Sequence, residues 1–133
     1  MSAIAASTGE ISSRPAAPGL RALPADEPAI DLVHLARQTD NDPALEEELL
    51  ALFDRQSASL LAQLLDEEAT ARNRADAAHM LRGSALAMGA GAVARATQAF
   101  ETALERGGAG VSELEALEQA VGQARAAIAR LRG

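Results

Sequence analysis

The sequence predicts an all-α fold: an antiparallel up-down-up-down four-helix bundle with a short N-terminal lid helix. Apolar residues recur at helical spacing in four long segments, and each segment is bounded by residues that start or end helices. The chain contains two Phe and neither Trp nor Tyr, and it has few β-branched residues, so its core must consist mainly of aliphatic side chains. The short connections between the segments favour antiparallel neighbours.

Length and composition limit the possible functions. The chain of 133 residues suffices for one domain, and an apolar content of 48% can supply a core. A net charge of −7 argues against nucleic acid as the main partner, and the absence of cysteine excludes disulfides and thiolate metal sites. The longest uncharged run, residues 83–94, is too short to cross a bilayer.

The N-terminal part, residues 1–29, differs in composition from the remainder. It contains four of the five prolines, with Ser, Gly and Ala between them, and we expect a flexible tail because so few apolar side chains cannot offset the ordering entropy. It has neither the basic start nor the apolar centre of a signal peptide. The sequence therefore predicts a cytoplasmic protein without membrane contact, whose folded domain covers residues 30–133.

Two helices are expected in the first part of this domain. A short helix capped at Ile30 or Asp31 is expected to lie as a lid on one end of the core. A long helix then starts at Asp42, because an Asx residue followed by proline is typical of a helix N-terminus. Its apolar face is predicted to consist of Leu45, Leu49, Leu52, Phe53, Leu60 and Leu64.

The next two helices are joined by a tight turn. Thr70 is expected to cap a helix over residues 71–88, which Gly89 ends, and a further helix runs from about residue 91 to 106. The core stripe of the latter is predicted to be Val93, Ala96, Thr97, Phe100 and Leu104.

The last helix is predicted to begin with the capping box Ser112-x-x-Glu115, in which the two side chains bond each other's backbone. Its apolar seam is expected to be Leu114, Leu117, Val121, Ala124, Ile128 and Leu131.

A histidine lies in the middle of the helix over residues 71–88. At about 100° per residue, Leu81 and Met88 lie nearly opposite His79 and mark the side that faces the core. The outward side contains Arg72, Asp76, His79, Arg82, Gly83 and Leu86. The sequence thus predicts that the His79 ring faces solvent.

The residues next to His79 suggest phosphoryl chemistry. Imidazole is partly neutral near neutral pH and can then act as a nucleophile. Arg82, one turn along, has a fork of donors that suits phosphoryl oxygens. Gly83 leaves the surface beside the ring bare, so that a second protein can approach, although glycine inside a helix costs about 1 kcal/mol relative to alanine.

The segment from Ala78 to Ala90 resembles the signature of histidine-containing phosphotransfer (HPt) domains, A-H-x-L-K-G-S-[SA]-x-x-x-G-A. The matching residues are Ala78, His79, Leu81, Gly83, Ser84, Ala85, Gly89 and Ala90. Arg82 stands where the family usually has lysine. The spacing of the flanking helices fits as well, from about Ile30 to the C-terminus.

The resemblance implies a shuttle in a multistep two-component phosphorelay, with His79 as phosphoacceptor. Its partners would be receiver domains of a hybrid histidine kinase and of a response regulator, which supply Mg²⁺. The chain itself would need no cofactor, would have no kinase or phosphatase activity, and would act as a monomer. Arg82 would neutralise phosphoryl oxygens. Glu101, at the position where the family often has Gln or Glu, would accept a proton from Nδ1 of His79 and leave Nε2 free as nucleophile.

HPt domains also present a mainly apolar docking surface around the histidine. By resemblance, the candidates here are Leu32, Leu35, Ala75, Leu86, Ala87 and Ala90.

Three alternatives remain open from the sequence. The first is a metal-binding bundle, because Asp31-x-x-His34 and Asp76-x-x-His79 have the spacing of metal ligands in helix bundles. His79, however, is expected to face outward. The second is the dimeric phosphoacceptor domain of a histidine kinase. In that domain an acidic residue usually follows the histidine, whereas this chain has Met80. The third alternative is a helical adaptor that binds partners without phosphotransfer.

Overall fold

A computed structural model describes residues 27–133, and in this range the chain forms five α-helices and no strand. The helices are α1 (Leu32–Gln38), α2 (Pro43–Leu65), α3 (Ala71–Met88), α4 (Gly91–Glu105) and α5 (Val111–Arg132). The all-helical prediction is therefore confirmed for the described residues. None of these five helices combines the length and the apolar character needed to cross a membrane.

Three of the predicted helix starts are confirmed. The carboxylate of Asp31 accepts hydrogen bonds from the first backbone N–H groups of α1, and Asp42 does the same for α2, where Pro43 follows. Thr70 accepts from the N–H of Asn73 at the start of α3. Each side chain supplies an acceptor for N–H groups that have no partner inside the helix.

The core consists of aliphatic side chains and the two phenylalanines. Every long helix contributes to it, and the largest fully buried side chains include Phe53, Leu64, Leu81, Phe100 and Ile128. Helix α2 packs against α3 and α5, and α4 packs against the same two helices. Each long helix therefore has two main neighbours, which is consistent with the predicted bundle.

The short helix α1 lies against the C-terminal end of α3. The N–H of Asp31 donates to the carbonyl of Gly89 over 2.9 Å, and Nε2 of His34 lies 3.1 Å from the carbonyl oxygen of Ala87. Gly89 has φ +74°, and a Cβ there would lie 3.0 Å from Asp31 atoms. Glycine therefore ends α3 and lets the lid segment lie directly against this turn.

The predicted apolar face of α2 is correct only in part. Leu45 and Leu52 are exposed, by 37% and 49%, whereas Leu50 is buried. The 23-residue helix packs on α3 and α5, and Leu50 lies on the same side as Phe53, Leu60 and Leu64. On α5, Leu131 is likewise 46% exposed, because the seam leaves the core at the last turn.

The predicted capping box of α5 is wrong. The helix begins at Val111 after Gly110, and no side chain caps it. Gly110 adopts φ +70°, its carbonyl accepts from the N–H of Leu114 over 2.8 Å, and the Ser112 hydroxyl donates to Glu113 instead. The left-handed glycine starts the helix before Ser112, so that Ser112 already lies inside the first turn.

The segment before α1 is anchored to α4. The carboxylate of Glu27 pairs with the guanidinium of Arg95 at 2.5 Å and lies near Gly91, at the N-terminal end of α4. A negative charge is favourable there because it faces the positive end of the helix dipole. The predicted flexible tail covers residues 1–29, and residues 1–26 of it lie outside the described range.

Candidate functional site

His79 lies in the middle of α3 with its side chain 74% exposed. Leu81 and Met88, on the other side of the helix, are 0% and 5% exposed and form part of the core. The apolar residues thus fix the rotation of α3, and that rotation turns the His79 ring outward as the sequence predicted.

Arg82 and Glu101 meet at the boundary between α3 and α4. Nε of Arg82 lies 3.1 Å from Oε1 of Glu101, and the two side chains are 32% and 20% exposed. Nε is buried, and its N–H is not aligned with any acceptor in the described part of the chain. The contact is therefore an ion pair held by proximity and charge rather than by a well-aligned hydrogen bond.

Glu101 also faces His79. Its Oε2 lies 3.7 Å from Nδ1 of the ring, which is longer than a hydrogen bond. The carboxylate therefore acts on the ring through its charge and proximity in this arrangement. The hydrogen bond expected from the resemblance is not formed at this distance.

Gly83 lies one turn beyond His79 and is exposed. A Cβ built on Gly83 would have no heavy atom of residues 27–133 within 4 Å. The described part of the fold therefore leaves room for a larger side chain, and packing within that part does not explain the glycine.

Ser84 forms a hydrogen bond with a residue of the neighbouring helix, and the sequence did not predict this bond. Its hydroxyl donates to the side-chain carbonyl oxygen of Gln56 on α2 over 3.0 Å. This bond links α2 to the turn of α3 that contains Gly83. Ser84 belongs to the recognised motif, but nothing in the sequence indicated which residue of α2 would face it.

Four of the six residues predicted to line a docking surface are exposed. Leu32, Ala75, Leu86 and Ala87 are exposed, whereas Leu35 and Ala90 are buried and belong to the core. Leu35 lies on the inner side of the lid helix, and Ala90 lies in the tight turn that the lid segment covers. Sequence reasoning missed Val33 and Met80, which are 62% and 54% exposed. The helical wheel could have indicated Met80, since it lies about 100° from His79.

The two carboxylate-x-x-His pairs lie on different helices, Asp31 and His34 at α1 and Asp76 and His79 on α3. Across residues 27–133, no three His, Asp or Glu side chains come close enough together to hold a metal ion. His34 instead contacts a backbone carbonyl at the end of α3.

Comparison of the chain with protein-family models, with curated proteins and with solved structures gives no match.

Proposed function

We propose that this protein is a histidine phosphotransfer protein, which shuttles a phosphoryl group between receiver-domain aspartates in a multistep phosphorelay through His79. One observation carries the proposal. An imidazole that is 74% exposed lies next to a guanidinium, a carboxylate and a bare glycine, on the outward side of a packed helix. The motif that resembles HPt domains covers these residues, apart from Glu101 on the following helix.

The proposed reaction uses Nε2 of His79 as the nucleophile. Nδ1 is the nitrogen nearest Glu101, so Nε2 is the one available to a partner. Its lone pair forms the P–N bond while the P–O bond to the receiver's aspartate breaks and returns its electron pair to that carboxylate. The ring keeps its proton on Nδ1 and becomes positively charged as the P–N bond forms.

The remaining chemistry belongs to the partners. Phosphoryl transfer depends mainly on positioning and on neutralising charge. The receiver domains of a hybrid histidine kinase and of a response regulator would bring Mg²⁺, and Arg82 would contribute a cation from this chain. In this proposal the protein has no kinase or phosphatase activity of its own and acts as a monomer in the cytoplasm.

The proposal includes an antiparallel up-down-up-down four-helix bundle of α2 to α5, with α1 as a lid. The pairwise packing of the long helices and the short connections between them support this arrangement. In such a bundle each helix turns one face inward, which frees the outer face of α3 for a partner.

The decisive experiment is incubation with a radiolabelled, phosphorylated receiver domain. We expect wild-type protein to take up label that is acid-labile and base-stable, as expected for a phosphohistidine, and His79→Ala to take up none. His34→Gln, which changes the other histidine of the chain, should still be labelled. Absence of label on the wild type, together with intact binding to the receiver, would favour the helical adaptor instead.

A further inference from the structure

A single carboxylate faces both candidate groups of α3. Oε1 of Glu101 lies 3.1 Å from Nε of Arg82, and Oε2 lies 3.7 Å from Nδ1 of His79. The Glu101 side chain is only 20% exposed, so its two oxygens are held in the cleft between α3 and α4. Glu101 therefore balances the positive charge of Arg82, and the proposed phosphoryl group would need the same positive charge.

In the ion pair between Arg82 and Glu101, the arginine can readily exchange the carboxylate for another anion. The Nε–H of Arg82 has no aligned acceptor in residues 27–133, although the carboxylate is close. An ion pair without an aligned hydrogen bond costs less to break than a bidentate pair. Since about a third of the Arg82 side chain is exposed, a group on the His79 side of α3 can reach it.

We propose that Glu101 is a positioning residue that holds Arg82 beside His79 until phosphorylation, when the guanidinium turns from the carboxylate to the phosphoryl group. This inference rests on the proposed function. As the P–N bond to Nε2 forms and the P–O bond to the receiver's aspartate breaks, the phosphoryl group places about two negative charges near the ring. Arg82, one helical turn from His79 on α3, is a cation within reach of these charges.

This exchange of partners by Arg82 determines how readily phosphorylated His79 donates its phosphoryl group to a receiver. Before transfer, the charges of Arg82 and Glu101 cancel. After transfer, the carboxylate and the phosphoryl oxygens compete for one guanidinium and repel each other. The carboxylate thus destabilises the phosphorylated state and shifts the equilibrium towards the receiver, whereas a carboxamide at this position would not.

The test is the equilibrium between phosphorylated receiver and phosphorylated His79, measured in wild type and in Glu101→Gln. We expect Glu101→Gln to shift the equilibrium about two- to fivefold towards phosphorylated His79. Glu105→Gln removes an exposed carboxylate one turn further along α4 and should leave the equilibrium at the wild-type value.

A second measurement follows Arg82 directly. His79 is phosphorylated with phosphoramidate, a small phosphoryl donor that needs no receiver, and the Nε–H resonance of Arg82 is recorded by NMR. We expect this resonance to move on phosphorylation. An unmoved resonance, or a Glu101→Gln equilibrium equal to wild type or shifted towards the receiver, would overturn the exchange while leaving the phosphotransfer function intact. Failure of the wild type to accept label from any donor would instead overturn the proposed function.

Discussion

Gly83 is the residue whose identity is hardest to explain by the stability of this chain. It lies inside α3, is exposed, and has open space where a side chain would project. Glycine in such a place destabilises a helix, and no described residue packs where its Cβ would lie. Its presence is understandable if the bare surface serves a partner that approaches His79.

The first prediction separates stability from function at Gly83. Gly83→Ala should raise the free energy of unfolding by about 0.5–1 kcal/mol, because alanine is the better helix former. The same variant should slow phosphotransfer from a receiver about tenfold or more, because a small displacement of the reacting groups has a large kinetic cost. Urea unfolding and single-turnover transfer measure the two effects.

Gly122 provides the matched control. It lies inside α5, is exposed, and also has no heavy atom of the described residues within 4 Å of a built Cβ. Gly122→Ala should therefore give a similar gain in stability with an unchanged transfer rate. If Gly83→Ala transferred as fast as Gly122→Ala, the glycine beside His79 would have no role in docking.

At the scale of the elements, the start of α5 depends on a glycine for two reasons. Gly110 has φ +70°, a backbone conformation that residues other than glycine adopt only at a cost in free energy. In addition, a Cβ on Gly110 would lie 2.8 Å from the ring of Phe100 on α4. The turn between α4 and α5 is thus built against a fully buried aromatic ring. The start of α5 therefore leaves no room for a Cβ at Gly110.

The second prediction tests this contact. Gly110→Ala should lower the free energy of unfolding by about 2–4 kcal/mol, combining left-handed backbone strain with overpacking against Phe100. Gly107, in the same turn, has φ +84° but open space around it, so that Gly107→Ala should cost only about 1–2 kcal/mol. Chemical denaturation of both variants gives the difference. Equal losses would show that the ring adapts without cost.

At the scale of the whole molecule, apolar burial holds α2 and α5 together more than charge does. Two ion pairs join these helices, Arg125 with Asp54 at 2.9 Å and Arg132 with Glu47 at 2.6 Å. All four side chains are partly exposed, so that water and salt screen the pairs. Phe53, on the inner side of α2, is by contrast 1% exposed.

The third prediction compares the two contributions. Phe53→Ala should lower the free energy of unfolding by about 3–5 kcal/mol, since it leaves a cavity in the core. Arg125→Gln should lower it by less than about 1 kcal/mol, and that small loss should shrink further in high salt. Urea unfolding at two salt concentrations measures both. A loss of several kcal/mol for Arg125→Gln would mean that the ion pair is structurally essential.

Local sequence determined the helices and the direction of the candidate nucleophile. Asp31, Asp42 and Thr70 cap their helices as predicted, because capping depends only on residues within one turn. The outward direction of His79 follows from the apolar residues of the same helix, such as Leu81. The cap residues of each helix were sufficient for the first, and the apolar periodicity of α3 for the second.

Tertiary packing decided the features in which two segments distant in sequence meet, such as the exposure of side chains and the contacts between helices. Leu35, Leu45 and Leu52 were assigned to the wrong environment, because the exposure of a leucine at the edge of a helix face depends on which neighbour covers it. Gly110, at the start of α5, lies against the Phe100 ring of another helix, and no capping pattern records this contact. The pairing of Arg82 with Glu101 likewise arises only when α3 and α4 pack, since the two residues lie on different helices on either side of the turn at Gly89.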